Sequence, residues 1–574
     1  MCGILGATNR NWDFAGAMAI LSHRGPDSQG VVHNPDLSLA FRRLAIIDLS
    51  RDADQPMSTE DKSIWIVFNG EIYGYKALRQ ALIAKGHRFR THSDTEVILN
   101  AYRQWGDDFV KHLDGMFAIA IHDLRTRELK LFRDRAGIKP LYYYYNGHDL
   151  AFASELKGIT KLCADVRFEH DRTALYDFLT YHYIPDPKTF YKSVFKLLPA
   201  HKLVFNLQER TIKEYRPYWR LEVGEQRQMS VEKTCQQLRA LVQESIADQM
   251  VADVPLGCFL SGGMDSSVIA AEAVRLNPKL ETFSVGFDDK DYTETHYAQI
   301  VADKFRTDHH VKTLSGVATE ELFKKLKDWY DEPFADTSAF PTFLVSEYAR
   351  ERMTVVLTGD GGDEVFGGYP RFNVFKLISR LPRAPNRSVN WLMSSLRTSV
   401  PTQSYLYKFL CLADVMARDL VSSYGVIMEE MPYAQKMKYA QRWDIPKGYD
   451  DYWYFRKYYR EDLPPLTRIQ YLDFHTYLPS DILTKVDRVS MAVSLEARVP
   501  FLSRKIIEFM FSLPEDIRFY KGRLKGCLKE AYRDILPKEI LTREKMGFGI
   551  PFNYFNQNYA NIPRMILSEI FQIK

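Results

Sequence analysis

The sequence predicts two folded parts: packed β-sheets with a few helices up to about residue 205, then a helix-covered parallel sheet from about residue 231 that runs into a helical C-terminal region. Three observations carry this. Short apolar or alternating runs separated by Gly, Asn and Asp turns fill the first part. Apolar strands alternate with helix-period segments in the second. Beyond about residue 370 the chain is helical in pattern and rich in aromatic residues.

Ser63–Phe68, Met116–His122, Glu128–Phe132 and Leu141–Tyr145 read as strands, and Tyr75–Lys85 and Asp94–Trp105 as helices. Gln208–Met229 is polar and charged, which predicts a linker over 206–230 between domains 1–205 and 231–574. Val231–Met250 then places Leu238, Leu241, Val242 and Ile246 at helical spacing. Gly257–Leu260, Leu280–Phe287 and Thr354–Leu357 are strand-like, and Ser266–Arg275 and Tyr297–Lys304 helix-like. That alternation is the pattern of a parallel sheet. No internal repeat or low-complexity tract is seen.

Over 574 residues, 46% hydrophobic and 26% charged are ordinary globular values. Lys+Arg 77 against Asp+Glu 73 leaves +4, too balanced for nonspecific nucleic-acid binding. No apolar run approaches the roughly 18 residues of a membrane span. The expectation is a cytoplasmic protein with no nucleic-acid partner and no membrane partner; a homodimer is compatible with the chain. The six cysteines include no CxxC pair, so neither a zinc knuckle nor a disulfide framework is expected.

Cys2 stands apart. Removal of Met1 before a small residue would expose its α-amine, which titrates at about 8 against about 8.5 for the thiol and can take the thiol proton near neutral pH. Amide cleavage by a thiolate also needs an oxyanion hole, and the strand-ending Asn69-Gly70 turn can present a side-chain amide and a backbone N–H together. An amide substrate that is also an amino acid would present an α-carboxylate and an α-ammonium, which call for a fork-shaped cation and a carboxylate. Cys2, His23-Arg24-Gly25-Pro26-Asp27, Arg43-Leu44-Ala45-Ile46-Ile47-Asp48, Phe68-Asn69-Gly70-Glu71-Ile72-Tyr73, Ser93-Asp94-Thr95-Glu96 and Arg133-Asp134-Arg135 together resemble the class II glutamine amidotransferases. The resemblance implies an αββα sandwich of the N-terminal-nucleophile hydrolase type. It implies Cys2, Asn69 and Gly70 as the catalytic group, and glutamine held by Arg43, Leu44, Ile46, Asn69, Gly70, Glu71 and Asp94. One departure is Gly74, where the family usually has Asn.

A second constellation begins at Leu260-Ser261-Gly262-Gly263-Met264-Asp265-Ser266-Ser267, which follows a strand and opens a helix. Adjacent glycines at a helix N-terminus expose backbone N–H groups to a phosphate. The string lacks the Gly-Lys-Ser/Thr of a Walker loop; it resembles the pyrophosphate loop of enzymes that split ATP between the α- and β-phosphates. A second strand ends in Thr358-Gly359-Asp360-Gly361-Gly362-Asp363-Glu364. Carboxylates beside a triphosphate hold Mg²⁺ or act as bases, which makes Asp265 and Asp363 the metal candidates.

With Ser490–Leu502, these loops resemble the synthetase half of glutamine-hydrolysing asparagine synthetases over about residues 1–205 and 235–555. The resemblance implies a pyrophosphate-loop α/β domain that adenylates a carboxylate with ATP, then amidates it with ammonia carried through an internal tunnel. It assigns ATP to Leu260, Ser261, Gly262, Gly263, Asp265, Ser266, Ser267, Val285, Thr358 and Gly359, with Asp360 and Lys525 as catalytic residues. The expected reaction uses glutamine, ATP and a carboxylate acceptor, most simply aspartate, bound between the Gly359–Gly368 loop and Ser490–Leu502 with Lys525, and Lys485 or Arg498, facing it. Three departures bear on the acceptor. Asp360 stands where the family has Glu, Asp331–Pro341 offers no Arg for an α-carboxylate, and Ser503 replaces Asp after Pro500-Phe501-Leu502. The alternatives are the same chemistry on a sugar acid or biosynthetic intermediate, and an N-terminal-nucleophile amidohydrolase with a regulatory nucleotide site. An intramolecular cyclase of this fold would lack the Cys2, Arg43, Asn69 and Asp94 machinery.

Overall fold

The computed structural model describes residues 2–224, 229–287, 294–314, 319–381, 387–397, 400, 404–428, 431, 433–545, 547 and 562–573. The first part holds twelve strands: β1 (Gly3–Ala7), β2 (Ser28–His33), β3 (Ser38–Arg43), β4 (Met57–Ser58), β5 (Ile64–Tyr73), β6 (Asp114–Asp123), β7 (Glu128–Arg133), β8 (Tyr142–Tyr145), β9 (Leu150–Ala153), β10 (Val194–Lys196), β11 (His201–Asn206) and β12 (Thr211–Pro217). They form two antiparallel six-stranded sheets, ordered β10-β8-β9-β1-β3-β2 and β12-β11-β7-β6-β5-β4. The inward faces, among them Ile4, Phe41, Val67, Ala118, Leu131 and Phe152, interdigitate in one core. Each such Leu, Ile or Phe contributes about 1.5–3 kcal/mol by leaving water.

Helices cover both outer faces. Phe14–Ile20 and Leu156–Leu162 pack on the first sheet, and Tyr75–Ala84 and Asp94–Trp105 on the second. The layering is therefore αββα, with β6 buried almost throughout because both of its faces meet apolar layers. The expected linker begins as sheet instead: β12 pairs antiparallel with β11 from His201 opposite Pro217 to Asn206 opposite Thr211. Its alternating polar pattern fits an edge strand with one wet face, and such a strand has the same polar, charged composition as a linker.

After the helix Val231–Gln249, five more strands follow: β13 (Leu256–Phe259), β14 (Glu281–Phe287), β15 (Asp308–Leu314), β16 (Val355–Leu357) and β17 (Glu496–Arg498). All pair in parallel, in the order β15-β14-β13-β16-β17. Chain order reverses direction at β13, so the loops after β13 and β16 meet at a topological switch point, where open α/β sheets bind ligands. β17 corrects the expectation of a purely helical C-terminal region: three residues from far along the chain close the sheet edge, too short a run to show a period. No helix among the described residues is long and apolar enough to cross a membrane.

Two candidate active sites

Cys2 precedes β1 and is 8% exposed. Its backbone N–H donates to Asn69 Oδ1 at 2.9 Å, its thiol lies 3.9 Å from the Leu44 carbonyl, and Arg24 Nε donates to its carbonyl at 3.1 Å. Burial pushes the thiol pKa up, and the Glu496 carboxylate adds to that. Asn69 sits in β5 opposite Ala118, fully buried. With Oδ1 engaged by Cys2, its Nδ2 is buried without a hydrogen-bond partner. A buried amide donor left unmade is costly unless something fills it, and here it belongs to the side chain that accepts from the Cys2 N–H. Gly70 has φ +153°, and a Cβ there would lie 2.0 Å from the Met116 carbonyl, so only glycine lets β5 run this close to β6.

Glutamine-reading candidates surround this point. Leu44 and Ile46 are buried in the loop after β3. Arg43 directs its guanidinium into that loop, donating to the Ser50 carbonyl and to Asp54 Oδ1, each at 2.7 Å, and to the Asp48 carbonyl. Asp94 opens its helix, but the cap is Ser93, whose hydroxyl accepts from Glu96 N–H. That frees the Asp94 carboxylate to accept from Ile72 N–H at 3.0 Å. Burial raises the Asp94 pKa to about 6. Glu71, close by, is pushed well above the carboxylate range by burial and by Glu496. An ammonium ion entering beside these two buried carboxyl groups would favour their charged forms, and the charged carboxylates would hold it. Gly74 has φ +64°, and a Cβ would meet only Asp248 Oδ2 at 3.8 Å, so the departure from Asn leaves the turn intact.

The second site lies at the switch point. The loop Leu260–Gly263 leads into the helix Met264–Leu276, whose cap Gly263 offers no side-chain hydrogen bond, so its first N–H groups have no side-chain cap. Ser261 and Ser266 hydroxyls lie 3.0 Å apart, and Ser267 Oγ donates to the Gly263 carbonyl at 2.7 Å, bracing the turn. Gly262 has φ +71° and passes so close to Ala298 that a Cβ would lie 2.4 Å from its N. From β16, Thr358 Oγ1 donates to Asp360 Oδ2 at 2.7 Å, and Gly359 brings this loop against Asp265. The two loops border a cavity of about 930 Å³ lined also by Val285.

Lys525 projects between Asp265 and Asp363, 2.7 Å from Asp363 Oδ1 and bonded to Asp265, while Lys545 bonds Asp363. Burial raises the Asp265 pKa; Asp363, although equally buried, is held well below the carboxylate range by Lys525 and Lys545. Asp265 Oδ1 is buried with no hydrogen-bond partner. Hard oxygen donors with a spare lone pair beside a cationic cleft fit a small divalent cation and the phosphates it would bridge.

The far wall differs from expectation. Lys485 lines the cavity, 2.8 Å from Ser338 Oγ and 3.1 Å from Asp336. Ser490–Leu502 does not line it, and Arg498 points the other way, to Glu496 at 2.6 Å and to the Gln249 and Val251 carbonyls at 2.6 and 2.8 Å. The expectation places Arg498 toward an anionic ligand; instead its Nε pairs with Glu496 and its Nη2 lies 3.5 Å from Glu71, both buried acids. Sequence reading also missed Glu364, a cavity-lining residue whose pKa burial raises to about 7 and whose carboxylate accepts from Tyr369 O–H at 2.6 Å. Its place in Gly362-Asp363-Glu364 was the available signal. Glu281, Asp308 and His310 are the one metal-capable trio among the described residues, but Arg352 already neutralises Glu281.

A buried Cys-Asn pair in an αββα sandwich, joined to a pyrophosphate-type loop in a parallel sheet, defines a glutamine amidotransferase fused to a nucleotide-dependent ligase fold. The glutamine amidotransferase domain model matches residues 1–219 and the asparagine synthase model residues 237–569, and the chain belongs to the asparagine synthase family. It is 33% identical to the glutamine-hydrolysing asparagine synthetase 1 of Bacillus subtilis over 94% of this chain and 84% of that one. The glutamine-hydrolysing asparagine synthetase 3 of the same organism is 30% identical over 92% and 82%. A more distant relative, Amidase chry2 of Gibberella zeae, is 27% identical over 94% and 85%.

Proposed function

We propose that the protein amidates a carboxylate with glutamine nitrogen through an acyl-adenylate, most simply converting aspartate, glutamine and ATP to asparagine, glutamate, AMP and pyrophosphate. Arg43, Leu44 and Ile46 shape the glutamine pocket, and Glu71 and Asp94 take the α-ammonium. The Cys2 thiolate attacks the side-chain amide; Asn69 Nδ2 and the Gly70 N–H receive the developing oxyanion. The C–N bond breaks as the α-amine of Cys2 passes the proton taken from the thiol to the departing nitrogen, ammonia leaves, and water hydrolyses the thioester to glutamate and the free thiol. In the other half, the acceptor carboxylate oxygen attacks the α-phosphorus of ATP and pyrophosphate departs toward Lys525. Ammonia then attacks the acyl carbon and AMP leaves, with Asp360 or Glu364 positioned to take a proton.

Mg²⁺, if bound, would be held by Asp265 and Asp363 and would offset phosphate charge. The observation that carries the reading is the Lys525 ammonium clasped between Asp265 and Asp363 where two glycine loops meet, in a chain that also buries a Cys2–Asn69 pair. The test is incubation with ATP, Mg²⁺, glutamine and a panel of carboxylates while AMP is followed. Acceptor-dependent AMP and pyrophosphate are expected. ADP and phosphate as the stoichiometric products would overturn adenylation, and a carboxylate other than aspartate as the sole stimulant would replace the acceptor alone.

A further inference from the structure

The helix Leu483–Met491 belongs to the nucleotide half, yet its successive residues serve both sites. Lys485 stands in the cavity wall against Ser338 and Asp336. Two residues on, which on an α-helix is nearly the opposite side, Asp487 is 3% exposed and accepts two N–H groups from Arg24, at 2.9 and 3.2 Å. Arg24 is fully buried and donates its Nε–H to the carbonyl of Cys2 at 3.1 Å. A guanidinium is a rigid fork, so fixing two of its N–H groups on one carboxylate fixes the direction of the third. Glu155 braces the same group from the sandwich side at 2.8 Å, and Lys139 approaches Asp487 at 3.6 Å. Among the described residues, the other hydrogen bond between the Cys2 main chain and a side chain is the Asn69 contact.

We propose that Asp487 is a positioning residue for glutamine hydrolysis. By fixing Arg24 it fixes the Cys2 main chain, and the nucleotide half thereby sets the aim of the thiol in the other half. The helix that lines the nucleotide cavity with Lys485 thus also carries the carboxylate that orients Arg24. This rests on the assignment of Cys2 as nucleophile.

The test compares Asp487→Asn, Asp487→Glu and Cys2→Ala in the full chain, measuring glutaminase kcat and KM and, separately, AMP formation with ammonium chloride in place of glutamine. Asp487→Asn keeps the size and loses the charge. It should lower glutaminase kcat tenfold or more, leave the KM for glutamine within twofold, and leave ammonium-dependent AMP formation within twofold. Asp487→Glu should recover at least threefold in kcat over Asp487→Asn. An unchanged glutaminase kcat, a parallel fall of both activities, or a Glu variant no better than Asn would overturn the proposal. Glutaminase activity retained in Cys2→Ala would instead show that the nucleophile assignment had failed.

Discussion

The two sites use opposite means. The Cys2 site is made of side chains buried in a rigid sandwich: Cys2 is 8% exposed and Asn69 fully covered. The nucleotide site is made of backbone and loop at the ends of parallel strands, around a cavity of about 930 Å³. The difference follows from the ligands. A thiolate attack needs one donor and one nucleophile held to within a fraction of an ångström, which dense packing provides. A polyphosphate spreads several charges over many oxygens, which many N–H groups and lysines meet better than one residue can. Each site should therefore fail in its own way.

The largest effect should come from Cys2→Ala, which is expected to lower glutamine hydrolysis by about 10³-fold or more while ammonium-dependent synthesis stays within about twofold. A parallel loss of both would break the division of labour. Asp265→Asn should do the reverse, lowering AMP formation by about 10²-fold or more with basal glutaminase unchanged. Asn69→Ala removes the unpartnered Nδ2 donor and should cost about 10²–10³ in glutaminase kcat, with a smaller change in KM; equal falls in binding alone would mean the amide only shapes the pocket.

A smaller effect concerns pH. Asp94, raised to about 6 by burial, is neutral in the free protein below that pH and charged above it. Its attraction for an ammonium is thus present above about pH 6 and lost as pH falls through it, so the KM for glutamine should rise below pH 6 while kcat for ammonium-dependent synthesis does not follow. Asp94→Asn should flatten that profile. The smallest effect is expected of Gly74→Asn, within about 0.5 kcal/mol by thermal unfolding, because Asn tolerates a left-handed φ and the site has room for its Cβ.

The sequence by itself determined the parts whose constraint is local. Glycines at 70, 262 and 359 sit where a Cβ would strike a neighbouring backbone or side chain, and such needs are written as residue identity at one position. The strand-loop-helix order of 256–276 and the helix 94–105 were legible because periodicity and capping act over a few residues. Long-range pairing, of charges and of strands, was settled by folding alone. Arg24 meets Asp487 across 463 residues of sequence, Arg498 turns to Glu496 and Glu71 instead of the cavity, and β17 closes a sheet with three residues. A buried ion finds its counter-ion wherever folding brings one, because an unpaired charge in the interior costs several kcal/mol. That cost depends on distance in space, which leaves no period or spacing in the chain to read.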